Sequence, residues 1–100
     1  MGESGDSSHV PQLIAALEHE NGNVRRLAAS GLGKLRDERA VDPLIALLLN
    51  EEKPQVRQYA VKALGAIGDS RATAILESIA NDESEMYYTR ESARKALEHI

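Results

Sequence analysis

Few residues in this chain have the type and spacing to do chemistry. Histidines stand at His9, His19 and His99. A metal site gathers such imidazoles around one point, and His9 and His99 lie near opposite ends of the chain. His19-Glu20 is a His-Glu pair, but it occurs once, and adjacent residues on a helix do not share a face. It reads as a solvated helix terminus. Gly31-Leu32-Gly33-Lys34 resembles a phosphate loop only in outline. Such a loop needs GxxxxGK followed by Ser or Thr between a strand and a helix, whereas these residues fall inside a helical pattern. Ser30, Ser70, Ser78, Ser84 and Ser92 have no neighbouring histidine to serve as base. Glu51-Glu52 and Asp82-Glu83 fall in loops, without the apolar wall that raises a carboxyl pKa. The chain has no cysteine, which removes thiolate ligands, disulfides and cysteine nucleophiles. No catalytic residue, metal ligand or cofactor site is expected.

What the sequence does carry is repetition. VPQLIAAL at Val10 to Leu17 returns as VDPLIALL at Val41 to Leu48, 31 residues on. VRRLAASGLGKLRDERA from Val24 returns as VRQYAVKALGAIGDSRA from Val56, 32 residues on. A third, more divergent copy runs ILESIA from Ile75 and TRESARKAL from Thr89, placing Arg90 opposite Arg57. Within each unit the apolar residues follow helical spacing, as in Val24, Leu27, Ala28, Leu32 and Leu35. The strict alternation of strands is missing. The pattern predicts helices over 9–20, 23–36, 39–50, 55–67, 71–81 and 86–99. Asn21-Gly22-Asn23 closes one helix and opens the next. Gly68-Asp69-Ser70 supplies a terminal glycine and then a cap, and Pro11, Pro43 and Pro54 fall near helix starts.

Three antiparallel hairpins follow. One hairpin alone cannot bury its apolar stripe, so neighbours must stack. With three Tyr and neither Phe nor Trp, Leu, Ile, Val and Ala must fill the core. Gly31, Gly33 and Gly65 inside the second helices suit close approach of backbones, as do Ala28, Ala60 and Ala93. In the third copy Arg94 stands where the second has Val61, and Glu98 where it has Gly65, which predicts a solvated cap closing the array. The expected organisation is a polar, disordered leader at 1–8 and one domain over 9–100, with repeats of about 9–37, 38–69 and 70–100. Residues 1–8 lack the apolar stretch of a secretory signal. The longest apolar run, Leu44 to Leu49, is too short to span a bilayer. A cytoplasmic protein is the expectation.

Charge divides unevenly between the two kinds of helix. Second helices hold Arg25, Arg26, Lys34, Arg36, Arg57, Lys62, Arg90, Arg94 and Lys95 against Glu91 and Glu98, while the whole chain carries a net charge of −4. Arg25, Arg57 and Arg90 recur at one point of successive units and are expected to form a structural ladder. Their partners should be acidic residues or helix-end carbonyls near Glu20, Glu52 and Asp82. The other cations form a shorter basic stripe.

The pattern VRxxAxxALGxIGD, carried here from Val56 to Asp69, together with xRAVxPLIxLL from Glu38 to Leu48, resembles the HEAT-like repeats grouped with phycobilisome bilin-lyase subunits. The resemblance covers nearly all of the chain after residue 8. It implies an all-α fold, a right-handed α-α superhelix of six helices. That family includes di-iron hydroxylases whose His-Glu ligand pairs lie early in the second helices. The matching positions here are Arg26-Leu27, Gln58-Tyr59 and Glu91-Ser92, which cannot hold that centre. The resemblance also implies that second helices line a concave side. A partner would then meet Arg26, Leu27, Ser30, Lys34, Gln58, Tyr59, Lys62, Tyr88, Glu91, Ser92 and Lys95. The favoured function is a non-catalytic module binding another protein with an acidic or mixed surface. Two alternatives stand beside it: a bilin-lyase-like, tetrapyrrole-handling subunit, and nucleic-acid binding along the basic stripe, which the net negative charge disfavours. Weak self-association through Leu13, Ile14 and Leu17 is a further expectation.

Overall fold

The computed structural model describes residues 7–100. Six α-helices follow one another: α1 (Val10–Ala16), α2 (Gly22–Leu35), α3 (Val41–Asn50), α4 (Pro54–Ile67), α5 (Thr73–Ala80) and α6 (Tyr87–Leu97). Short 3₁₀ turns at Ser7–His9, Glu38–Ala40 and Ser70–Ala72 precede α1, α3 and α5. No strand occurs among the described residues. The leader expected at 1–8 lies outside the described residues up to residue 6, and Ser8 belongs to the first 3₁₀ turn. Helices pair as α1 with α2, α3 with α4 and α5 with α6, and α4 packs between α2 and α6. The shortest dimension, 18 Å, is that of two helix layers with axes about 8–10 Å apart.

The three first helices are shorter than their periodicity suggests, α1 mainly at its end and α3 and α5 at their starts. After Ala16 the chain tightens to i→i−3 bonds, with the N–H groups of Leu17, Glu18 and His19 donating to Ile14, Ala15 and Ala16 at 3.1 Å. The carbonyls of His19 and Glu20 turn instead to the Arg25 guanidinium, at 2.7 and 3.0 Å. At the other end, Asp37 and Asp69 each accept an N–H two residues on, from Arg39 and Arg71, at 2.9 Å. This Asx cap winds the next three residues as 3₁₀ before α3 and α5 begin. Pro43 is not the cause, because the same junction precedes Thr73, where no proline follows.

The ends of second helices match their sequence signals. Asn21 Oδ1 accepts the Asn23 N–H at 2.8 Å and opens α2, and Pro54 is the first residue of α4. Gly68 ends α4 at φ 75, its N–H donating to the Leu64 carbonyl at 2.9 Å. Arg36 ends α2 at the corresponding point, in the same left-handed conformation at φ 54. For a residue with a Cβ that conformation costs about 1 kcal/mol.

One core runs through both layers. Leu32, Leu44, Leu64, Leu76, Val10, Val41, Val56 and Val61 are fully buried, each worth about 1.5–3 kcal/mol in apolar transfer. Leu17 is also part of it. The apolar flank expected to promote self-association is thus reduced to Leu13 and Ile14, both half-buried. The second helices approach one another through small residues. A Cβ on Gly33 would stand 3.0 Å from Ala63 Cα, and one on Gly65 would stand 2.7 Å from Ala96 Cβ. The alanines that face these glycines are therefore Ala63 and Ala96. Ala28, Ala60 and Ala93, assigned this part from the sequence, are buried elsewhere in the core.

Candidate partner-binding face

The arginines sort into those that hold the stack together and those that do not. Arg25 Nε donates to Glu51 Oε1 at 2.7 Å and its NH2 to Glu51 Oε2 at 3.0 Å, joining the first pair of helices to the second. Burial opposes ionisation of Glu51, but hydrogen bonds from Arg25 and from the N–H groups of Lys53 and Glu52 outweigh it and hold the carboxyl below its ordinary range. Arg57 repeats the arrangement one unit on. It grips the Leu48 and Glu51 carbonyls at 2.7 and 2.8 Å, and its Nε donates to the Glu85 carboxylate at 3.1 Å. The ladder therefore reaches forward to a carboxylate of the next pair as well as back to helix-end carbonyls. The carbonyls lie in the expected loops, and the carboxylates are Glu51 and Glu85, close in sequence to the expected Glu52 and Asp82. The third rung differs: Arg90 Nε is buried with no hydrogen-bond partner among the described residues, as is the neighbouring Thr89 Oγ1.

With the ladder accounted for, Lys34, Arg36, Lys62 and Lys95 border two clefts. A cleft of about 470 Å³ lies between α2 and α4, with Ser30, Lys34, Arg36, Tyr59, Lys62 and Ala66 on its walls. A larger one of about 840 Å³ lies between α4 and α6, where Gln58, Lys62, Tyr88, Glu91, Ser92 and Lys95 line it. Arg36, Lys62 and Ala66 belong to both. The repeat explains this convergence. Residues one unit apart occupy equivalent points of parallel helices, so side chains from α2, α4 and α6 recur along one face.

Nine of the eleven residues expected to meet a partner thus line the two clefts. Arg26 does not, but its guanidinium lies 5.5 Å from the Tyr59 ring centroid, with Lys62 Nζ at 5.6 Å from the same ring. Cation–π attraction of about 0.5–1 kcal/mol each at such exposed sites keeps the ring between them. Leu27 lines neither cleft and is 60% exposed. Among the clefts' walls only Glu91 is acidic, and Arg94 pairs with it.

Three polar or aromatic residues of the clefts, Tyr87, His99 and Arg36, are absent from the expected contact set. Tyr87, 69% exposed, and His99 belong to the α4–α6 cleft, while Arg36 had been counted only as one more charge of the stripe. The signal for Arg36 was its alignment with Gly68. Of the other histidines, His19 Nδ1 accepts the Asn21 N–H at 3.0 Å, and His9 precedes α1. A further cleft of about 720 Å³ separates α1 from α3 on the opposite layer, with Ile14, Leu47 and Pro43 beneath Glu18, Glu20 and Glu52.

A family model described as HEAT repeats matches residues 1–98. No curated protein shows significant similarity to the chain.

Proposed function

The chain belongs to the HEAT-repeat family, and from that premise we propose that it is a non-catalytic cytoplasmic module that grips another protein on the concave side formed by α2, α4 and α6. HEAT repeats commonly mediate protein–protein interaction, and the fold generally serves as a scaffold. Among the described residues no helix is long and apolar enough to cross a membrane. The observation that carries the reading is the continuity of the two clefts. They share a wall, and Lys34, Arg36, Lys62 and Lys95 line them with no salt-bridge partner among the described residues. Exposed Tyr88 adds the amphipathic contact area typical of binding hot spots. The partner surface that complements this is acidic or mixed, and the contact residues are Arg26, Leu27, Ser30, Lys34, Gln58, Tyr59, Lys62, Tyr88, Glu91, Ser92 and Lys95.

The test is affinity capture with the wild-type chain and with a Tyr59→Ala/Lys62→Glu variant of unchanged helical circular dichroism. Hydrogen exchange on the captured complex then locates the contact. Loss of the partner by the variant, with protection along α2, α4 and α6, is the expected result. Retention of every partner, or protection confined to α1, α3 and α5, overturns the assignment.

A further inference from the structure

We propose that Arg36 is the anion anchor of this face, and that its occupant is an extended acidic segment of a partner protein whose carboxylates lie over Arg36, Lys62 and Lys95. The inference rests on the reading of α2, α4 and α6 as the binding surface and adds the chemistry of what binds. Three observations meet at Arg36. It holds a left-handed conformation, φ 54, at the point where the next unit carries Gly68 at φ 75. Glycine makes that turn without a steric penalty, so ending the helix does not account for an arginine there. Arg36 also lines both clefts, at the junction where they become one surface. Finally, among the described residues no carboxylate pairs with it, which it shares with Arg26 and Arg90 but not with Arg25, Arg39, Arg57, Arg71 and Arg94.

A guanidinium left open in this way takes a carboxylate through two parallel N–H bonds. Lys62 and Lys95 are equivalent residues of α4 and α6, whose packed axes lie about 8–10 Å apart, while Arg36 caps α2 six positions beyond Ser30, the α2 equivalent of Lys62, and so stands about 9 Å farther along the helices. An extended chain advances about 3.3 Å per residue. Acidic residues two or three apart therefore fall over Lys62 and Lys95, and one about four residues farther on reaches Arg36 when the segment crosses the helices obliquely. A protein segment suits the surface better than a nucleic acid does. The chain is net negative at −4, and its acidic residues outside the clefts repel a long polyphosphate. A short acidic stretch stays within the basic area.

The test uses the full chain and a short fluorescein-labelled peptide with glutamate at alternate positions, beside its glutamine counterpart and a single-stranded oligonucleotide. Fluorescence anisotropy at physiological salt should show binding of the glutamate peptide and not of the glutamine one. Arg36→Gly should weaken binding about tenfold, the loss of one charge-assisted pair, while raising Tm because glycine relaxes the turn. Lys62→Glu should weaken it further. If Lys62→Glu abolishes binding and Arg36→Gly leaves it unchanged, the anchor is refuted while the face stands. If neither variant matters, the peptide seats elsewhere and the face falls with the anchor. Tighter binding of the oligonucleotide than of the glutamate peptide overturns the choice of partner.

Discussion

Helices α4 and α6 are built on one template, and they end differently because α4 has a second-helix neighbour on each side while α6 packs against one. On α4, Val61 and Gly65 are buried against the next pair; on α6 the equivalent positions are Arg94 and Glu98, both exposed. Arg57 is satisfied by two carbonyls and Glu85, whereas Arg90 Nε, one unit on, is buried without a hydrogen-bond partner among the described residues. Val56 fills its place with carbon; Thr89, fully buried at the matching position, brings a hydroxyl that finds no hydrogen-bond partner among the described residues. Identical local patterns thus carry different energies, according to whether the next unit supplies the packing surface and the carboxylate.

The sharpest way to break the comparison is to remove the arginines. Arg57→Met leaves Glu85 as a buried, unpaired charge and should lower stability by about 3 kcal/mol, while Arg90→Met should change it by less than about 0.5 kcal/mol. Urea denaturation of both variants decides the matter, and equal losses would show that the ladder is not what joins the units. Next in size are the glycines. Gly65→Ala drives a Cβ into Ala96 and should cost about 2 kcal/mol despite alanine's better helix propensity. Gly31→Ala meets only the flexible end of Leu13, at 3.2 Å, and should come within about 0.5 kcal/mol of wild type. Thr89→Val, which restores the residue of the other two units, should stabilise the chain by about 1 kcal/mol by deleting an unpaired buried hydroxyl.

The smallest expected effect concerns pH. The Glu51 carboxyl is held below its ordinary value of 4.5. Its contribution is therefore complete above that value and is lost as pH falls through the lowered one. Thermal melts taken from neutral pH downward should stay level until about pH 4.5 and then fall. In Glu51→Gln that fall should be shallower. A variant as acid-sensitive as wild type would mean that the Arg25–Glu51 rung contributes nothing to acid unfolding.

Helical spacing, repeat interval and turn residues were legible in the sequence because each is a local property. Asn21, Gly68 and Pro54 act within a turn of their own position, and their signals carried straight into the fold. That Ser30, Lys62 and Lys95 line neighbouring clefts was legible for a related reason: a fixed repeat places equivalent residues of α2, α4 and α6 in register. Partner choice was not legible. Arg25 holds the His19 and Glu20 carbonyls, where the sequence placed its partners, but its carboxylate comes from the next unit at Glu51, a pairing set by how far one hairpin is displaced along its neighbour.

The sequence alone determined that short amphipathic hairpins recur and must stack, since periodicity and capping depend only on neighbours a few residues away. Tertiary structure decided which glycine meets which alanine, which arginine finds a carboxylate, and that Arg36 stands at the meeting point of two clefts. Those outcomes turn on distances of a few ångströms between residues about thirty apart in the chain, set by the offset of one packed helix against another, which no local pattern encodes.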